Sequence, residues 1–245
     1  QTRREITPTR TSYLFQAGGV QLDLAFFTPA LPDDLDVLSR PLTYVIFDAH
    51  SSDSRQHQVK LYFDITGQIA TNTPEERVSW SRQRLQGLQV LRIGTAEQPV
   101  LAKSGDNLRI DWGYAYLAVP DGPGLDVAAS NQFARAGFVS SGTVPTEDDF
   151  DAPAQTSRNQ VTLLAAWDLG RVGTDVVSRR LMLAYDDVFA IQYFQRNLRP
   201  YWRRNGANAA DLLKTADRDY AELVQRSRKF DVELTADLVK VGGPK

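Results

Sequence analysis

The chain has 245 residues, a formal net charge of −2 and no cysteine. This length can bury a hydrophobic core without cross-links, and the lack of cysteine excludes disulfides, zinc–thiolate sites and cysteine nucleophiles. The near-neutral charge provides no general basic field for nucleic acid or for an anionic membrane, and no run of about 18 apolar residues could cross a bilayer. We therefore expect no nucleic-acid partner and no membrane insertion.

The start of the chain is unusual. The first residue is Gln1, and the single methionine is Met182. No signal-peptide pattern precedes the first predicted strand. These observations predict that the chain was processed from a precursor or cut from a longer protein.

Apolar and polar residues alternate through the first three quarters of the chain, as is typical of half-buried strands. The alternation predicts strands over 20–26, 59–65, 108–116, 161–169 and 177–185. Residues 42–47 are apolar on both faces and predict a central strand. Residues 51–56 are polar, and they predict a hairpin between the strands on either side.

Many strand candidates without amphipathic helices between them favour a sandwich over an alternating β-α fold. The polar stretch 143–158 predicts a loop.

The pattern of apolar residues changes after residue 205. Apolar residues then recur at helical spacing from Ala209 to Leu238, after Asn208 as a plausible N-cap. We predict a mainly β protein: an antiparallel, supersandwich-like β-sandwich domain over 1–205, and a long C-terminal α-helical segment over 206–245. The apolar stripe of this helix needs a partner surface.

Motifs of the common catalytic folds are missing from the sequence, which has no G-x-S-x-G, no Walker A and no G-x-G-x-x-G. His50 and His57 flank the predicted hairpin and could share a metal, but no third ligand accompanies them, so a polar hairpin tip is favoured. Acidic clusters at 33–36 and 147–151 lack the spacing of an EF-hand loop, and solvated loops are favoured. We predict no metal and no cofactor.

Two segments have the residue types of a binding site. Asp111 stands beside Trp112 and Tyr114, whose rings could face a small polar ligand while the carboxylate orients it. Asp186 and Asp187 end a strand, where adjacent carboxylates can serve acid–base chemistry. In the alternative, favoured for each segment on its own, the aromatics are buried and the aspartates accept hydrogen bonds within turns.

Arginines near aromatics follow the second segment. Such residues suit either a carboxylate-bearing ligand or a contact between domains. The residues concerned are Arg199, Trp202, Arg203 and Arg204.

The chain resembles the N-terminal β-rich domain of the glutaminase A family, whose members are large secreted proteins of bacteria and fungi. The matching stretches cover nearly the whole chain. They are TPTRT (7–11), QAGGV (16–20), FTPALPDDL (27–35), LSRP (38–41), 57–64, 106–116, 184–204, 211–213, 219–220 and 230–231.

The resemblance implies that a further segment precedes this domain and that a helical domain of the (α/α)6 type follows it in the same polypeptide. The C-terminal helix is then the connector to that domain, and the residues around Arg199 to Arg204 pack near it. The activity implied for the full-length protein is hydrolysis of L-glutamine to L-glutamate and ammonia, outside the cell, in the periplasm or at the cell surface. No catalytic motif of the family carries over to these residues.

Three functions stay open from the sequence. The first, which we expect, is a non-catalytic or cleft-lining β domain of a secreted glutaminase-like hydrolase. In it Asp111, Trp112 and Tyr114 face the ligand, and Asp186 or Asp187 is a positioning or acid–base carboxylate. The second is a carbohydrate-binding or carbohydrate-processing module of a two-domain protein like a glycoside hydrolase. The third is a structural domain that uses its terminal helix as an interface.

Overall fold

The computed structural model describes residues 2–106, 109–149, 151–155 and 161–243. Within these residues the chain forms fourteen strands, three α-helices and two short 3₁₀ helices, Gly67–Ala70 and Tyr201–Arg203. The strands are β1 (Arg3–Ile6), β2 (Arg10–Ala17), β3 (Val20–Phe27), β4 (Leu42–Ser51), β5 (His57–Thr66), β6 (Arg77–Leu85), β7 (Leu88–Thr95), β8 (Tyr114–Pro120), β9 (Leu125–Ser130), β10 (Ala154–Gln155), β11 (Thr162–Val172), β12 (Val177–Asp186), β13 (Ile191–Tyr193) and β14 (Arg196–Leu198). The helices are α1 (Leu35–Leu38), α2 (Phe133–Ser141) and α3 (Ala209–Gly242).

The described strands form two main sheets and a separate hairpin. The large sheet has the order β1-β2-β3-β4-β12-β8-β7-β6-β10, the small sheet has the order β5-β11-β9, and β13 pairs with β14. Neighbouring strands are antiparallel throughout these sheets. The predicted mainly β, antiparallel sandwich with a C-terminal helix is therefore confirmed.

The small sheet packs on one face of the large sheet and forms the sandwich core. Leu91 and Leu117 from the large sheet meet Leu163 from the small sheet there, and all are buried. Trp167 lies against Phe47 across the two layers, with ring centroids 5.7 Å apart. The alternation in the sequence arises because one side chain in two on each strand points into this core.

The helix α3 covers the opposite face of the large sheet. Leu212, Leu213 and Ala216 pack there against Tyr44 and Met182 in a second buried cluster. The central strands of the large sheet are therefore buried on both faces. This explains the continuous apolar run at 42–47, and the predicted central strand is confirmed as β4, which lies between β3 and β12.

The start of α3 agrees with the sequence prediction. The Asn208 side chain accepts hydrogen bonds from the backbone of Ala210 and Asp211, and the Asp211 carboxylate accepts one from the Asn208 backbone. This capping box satisfies backbone donors that the first turn leaves free. The helix has 34 residues, which corresponds to about 51 Å at 1.5 Å per residue. None of the helices in the described part of the chain is long and apolar enough to cross a membrane.

Polar contacts hold α3 to the sheet along its length. The Tyr44 hydroxyl donates to the carbonyl oxygen of Ala216 at 2.7 Å. Near the far end, the buried carboxylate of Asp231 accepts hydrogen bonds from the Thr7 hydroxyl and from both the backbone and the hydroxyl of Thr9. Beyond Asp231 most residues of the helix are exposed, and Val232 is 70% exposed.

Two of the predicted strand features are wrong. The strand expected over 108–116 begins only at Tyr114, because Gly113 has φ +79°, a left-handed conformation that interrupts an extended strand; Leu108 lies outside the described residues. Residues 51–56 do not form a hairpin turn. They carry the chain from β4 in the large sheet to β5 in the small sheet, so the connection crosses between the layers.

The acidic stretch 143–158 is a loop up to the short strand β10, which pairs with β6 at the sheet edge; residues 150 and 156–158 lie outside the described residues. Sequence reasoning did not predict α2. This helix lies on the outer side of the small sheet, where Phe138 contacts Tyr62 with ring centroids 5.0 Å apart.

Candidate functional site

The structure brings the two predicted site segments together at one end of the large sheet. Tyr114 at the start of β8 is the register partner of Asp186 at the end of β12. The backbone at Gly113 also lies close to the backbone at Asp186, since a Cβ added at Gly113 would lie 2.2 Å from the Asp186 carbonyl oxygen. We call Asp111, Trp112, Tyr114, Asp186 and Asp187 the strand-end cluster.

Asp186 is buried and fully engaged. It is 2% exposed, and Arg203 donates to its two oxygens over 2.9 and 2.5 Å. The backbone of Val188 donates a third hydrogen bond of 3.0 Å. A carboxylate held in this way positions the loop after β12, and its oxygens are occupied by the protein itself.

Asp187 differs from Asp186 in its exposure and in its electrostatic surroundings. Its side chain is partly exposed. Burial and the neighbouring charge of Asp186 raise the pKa of its carboxyl group above the ordinary value. In the described part of the chain, no ion pair involves this carboxylate. Asp187 is therefore the carboxylate of the cluster that is best placed to meet a ligand.

Asp111 is also buried, at 2% exposure. Lys103 donates to its carboxylate at 2.8 Å, and this contact raises the pKa of the Lys103 ammonium group. The Thr95 hydroxyl donates to the Asp111 carbonyl oxygen at 2.5 Å. These bonds fix the loop before β8, so the geometry favours an anchoring role for Asp111 over direct contact with a ligand.

The two aromatic members of the cluster are partly exposed. The Trp112 indole donates to the carbonyl oxygen of Phe189 at 3.0 Å, and the Tyr185 hydroxyl donates to the Trp112 carbonyl oxygen at 2.7 Å. The Arg92 guanidinium lies over the Tyr114 ring at 4.3 Å from its centroid. The Trp112 indole is therefore held by a hydrogen bond to the loop after β12, and the Tyr114 ring packs against Arg92.

The residues predicted to contact another domain divide into two groups. Trp202 and the Arg203 side chain face inward: Trp202 belongs to the cluster under α3, and Arg203 is bound to Asp186. Arg199 and Arg204 are exposed. At the surface the Arg204 guanidinium pairs with Asp36 and lies 4.0 Å from the centroid of the Tyr201 ring.

Sequence reasoning missed the most exposed apolar feature of this end. The strands β13 and β14 form a short hairpin after the strand-end cluster, in which the Tyr193 and Phe194 rings meet edge-on with centroids 4.5 Å apart. Phe194 is 82% exposed, and both Phe194 and Gln195 have positive φ, as a tight two-residue turn requires. The sequence offers no glycine or asparagine there to mark the turn. We call residues 191–198 the aromatic hairpin.

His57 is engaged by a carboxylate of its own loop. His57 pairs with Asp53 at 2.7 Å across its own loop, and this hydrogen bond lowers the pKa of Asp53 to about 2. The predicted acidic clusters bind arginines, for example Asp34 to Arg226. No three histidine or carboxylate side chains among the described residues lie close enough together to hold a metal ion.

The fold and this end of the sheet define the class of the protein: a two-sheet antiparallel sandwich domain with a long helix across its outer face. Residues 9–237 match the profile of a family described as "Domain of unknown function (DUF5127)", and the chain belongs to that family. Glutaminase A of Aspergillus oryzae (strain ATCC 42149 / RIB 40) is 26% identical over 99% of this chain. The predicted resemblance to the glutaminase A family is thus confirmed. The chain spans 36% of the length of that relative.

Two solved structures show a weak likeness to this chain. A putative kojibiose phosphorylase from the human microbiome is 8% identical, with a TM-score of 0.46 over 90% of this chain and 22% of that one. A putative aldose 1-epimerase from Escherichia coli K12 is 9% identical, with a TM-score of 0.31 over 72% of this chain and 64% of that one. Both likenesses are too weak to bear on function.

Proposed function

We propose that this chain is the cleft-lining, non-catalytic β domain of a secreted glutaminase-like hydrolase. In this proposal residues 1–205 are the sandwich and residues 206–245 are the helix that connects to an (α/α)6 domain of the same polypeptide. The exposure of the aromatic hairpin carries the proposal. Contiguous exposed apolar side chains on a soluble domain mark an interaction surface, and here they adjoin the strand-end cluster.

The end of α3 offers a second surface of the same kind. Its last turns expose Leu238 and Val241, which are 61% and 89% exposed. An apolar groove with a volume of about 580 Å³ runs along this end of the helix, between Thr7, Val232 and Val239. A helix that continues its apolar stripe beyond its own domain is suited to pack against another one.

Strand register supports a single partner for both surfaces. Arg10, Phe27, Tyr44 and Met182 form one row across the large sheet. Thr9, which binds Asp231 of α3, precedes this row, and Asp186 follows it on β12 in the same direction. The end of the helix and the aromatic hairpin therefore lie toward the same end of the large sheet, where one neighbouring domain could cover both.

The link to glutamine hydrolysis rests on the relative's name and on the chemistry of the strand-end cluster. Asp187, Trp112 and Tyr114 would line one wall of a cleft, and Asp187 would orient or protonate a polar substrate group. The residues that cleave the amide would lie in the partner domain; if Asp187 transfers a proton rather than orienting the substrate, the β domain is cleft-lining and contributes that one acid–base group. Arg199 and Arg204 would contact that domain from the rim.

The test compares this chain with a polypeptide in which it is followed by the helical domain, by measuring ammonia release from L-glutamine. We expect turnover only in the longer polypeptide. The pair Tyr193→Ser and Phe194→Ser should reduce that turnover by about tenfold or more, since interface aromatics dominate association. Phe133→Ser is the matched control, because Phe133 is 70% exposed on α2, away from the hairpin.

Two results would overturn the proposal. One is robust turnover by the 245-residue chain alone. The other is unchanged turnover in the hairpin variant. Binding of oligosaccharides by the isolated chain, lost on Trp112→Ala, would favour a carbohydrate-binding module in its place.

A further inference from the structure

A second candidate site lies apart from the strand-end cluster, toward the opposite end of β12. A cavity of about 410 Å³ opens there between the start of β12, the turn after β8 and the middle of α3. Four arginines are among the residues that line it. They are Arg10, Arg179, Arg180 and Arg228, which we call the arginine pocket.

The cavity exists because two neighbouring strands differ in length. β12 pairs with β8 only over Met182–Asp186, whereas it pairs with β4 from Val177 to Ala184. β8 ends at Pro120, and the chain turns toward β9. The start of β12 therefore has β4 on one side and open space on the other, with α3 above.

The charge of the pocket is unbalanced. Arg180 pairs with Asp217 at 2.7 Å. Within the described residues, no carboxylate lies at ion-pair distance from the other three arginines. The two carboxylates that line the cavity already accept hydrogen bonds: Asp48 from the Ser178 hydroxyl, and Asp121 from Arg84 and Gln89.

Unsatisfied donors add to this imbalance. The Nε atoms of Arg179 and Arg180 are buried and have no hydrogen-bond partner among the described residues. Each guanidinium has one partner through another nitrogen: the Arg179 Nη1 donates to the Ser178 carbonyl oxygen at 2.9 Å, and the Arg180 Nη2 donates to Asp217. Guanidinium groups bind carboxylates through paired, charge-assisted hydrogen bonds. An anion in the cavity would reduce the repulsion between the four arginines.

The cavity also has apolar walls. Ile46 and Val224 line the cavity together with the ring of Tyr220, and the Arg180 guanidinium lies 4.5 Å from the centroid of that ring. The volume is at the lower end of the range for small-molecule sites, about 300–1,000 Å³. These walls fit a ligand with a carbon body better than a bare inorganic ion.

We propose that the arginine pocket binds a small organic anion with two or more carboxylates on a carbon body. The arginines approach from β2, β12 and α3, so more than one carboxylate can be held at once. This site is separate from the strand-end cluster and does not depend on the function proposed for it.

Calorimetric titration of the 245-residue chain with citrate at low salt tests the proposal. We expect binding with a Kd of roughly 1 mM or tighter, and weaker binding as salt is added. The double variant Arg179→Gln with Arg228→Gln should weaken citrate binding about tenfold or more. Arg228→Gln alone should also weaken citrate binding, and because Arg228 is exposed we expect this variant to fold. Arg77→Gln is the control, since Arg77 is exposed on β6 and should leave binding unchanged.

Triethyl citrate and inorganic phosphate distinguish the contributions of charge and carbon body. The neutral ester should not bind, and phosphate should bind more weakly than citrate. The proposal is overturned if citrate does not bind, if its affinity is the same in the Arg228→Gln and Arg77→Gln proteins, or if phosphate binds as tightly as citrate.

Discussion

Arg203 and Asp186 form a double hydrogen bond between side chains that are 11% and 3% exposed. The aspartate ends β12, and the arginine belongs to the short turn that leads into α3. The pair therefore fastens the strand-end cluster to the helix that covers the large sheet. Two residues that look like site chemistry in the sequence serve here to join two parts of the fold.

Removing one member of this pair should be costly. We expect Arg203→Ala to lower the free energy of unfolding by about 3–5 kcal/mol, because it leaves a buried carboxylate without its counter-charge. Replacing both residues, as in Arg203→Met with Asp186→Leu, should recover much of the loss. Chemical denaturation of the parent, the single variant and the double variant measures these free energies of unfolding. A double variant no more stable than Arg203→Ala would contradict the explanation.

Asp187 should destabilise the folded chain at neutral pH. Its pKa is raised in the folded state, so the folded chain binds the proton more tightly than the unfolded chain does. The free energy of unfolding then falls as the pH rises from the unfolded value of about 3.9 through the raised folded value. We expect Asp187→Asn to be more stable than the parent at pH 7 and equally stable at a pH below the unfolded value. Denaturation across this pH range checks the sign, and a gain confined to acid pH would contradict it.

Gly113 should tolerate no side chain. Gly113 has φ +79°, and Gly113→Ala places a Cβ 2.2 Å from the Asp186 carbonyl oxygen. We expect the free energy of unfolding to fall by more than about 3 kcal/mol, because the atoms that the Cβ meets belong to the backbone of Asp186 and Asp187 and cannot move aside as a side chain could. Gly87→Ala has a similar φ of +74° but open space around it, so about 1 kcal/mol is expected. Comparing the two by thermal denaturation separates the clash from the backbone conformation. Equal losses would rule out the close approach of the two loops.

The carboxylate of Asp231 should anchor the helix. Asp231→Ala leaves the Thr9 backbone amide without its acceptor, and we expect a loss of about 1–3 kcal/mol. Asp237→Ala, an exposed position on the same helix, should change stability by less than about 0.5 kcal/mol. Amide hydrogen exchange offers a second measurement: the protection of residues around Thr9 should fall in the first variant only.

Features set by local sequence were predictable. Asn208 marks the start of α3, and the apolar run at 42–47 marks a strand buried on both faces. Each of these depends on side chains only a few residues apart. The sandwich class followed from the same patterns.

Features set by distant contacts were not predictable. The crossing between the sheets at 51–56 looks like a hairpin because periodicity says which residues are strands and nothing about which strands pair. Trp112 and Tyr185 are 73 positions apart, so no local pattern indicates their contact. The exposure of Phe194 likewise depends on how the aromatic hairpin packs against the rest of the fold, which no local pattern indicates.

The cover that α3 gives the large sheet has a practical consequence for anyone shortening this chain. A version ending before Ala209 would leave Tyr44, Ile46 and Met182 facing water, and a continuous apolar sheet face of this kind drives self-association. The smallest soluble unit should therefore retain the helix at least through Asp231, its last buried anchor on the sheet. Residues after that point should be removable without loss of folding.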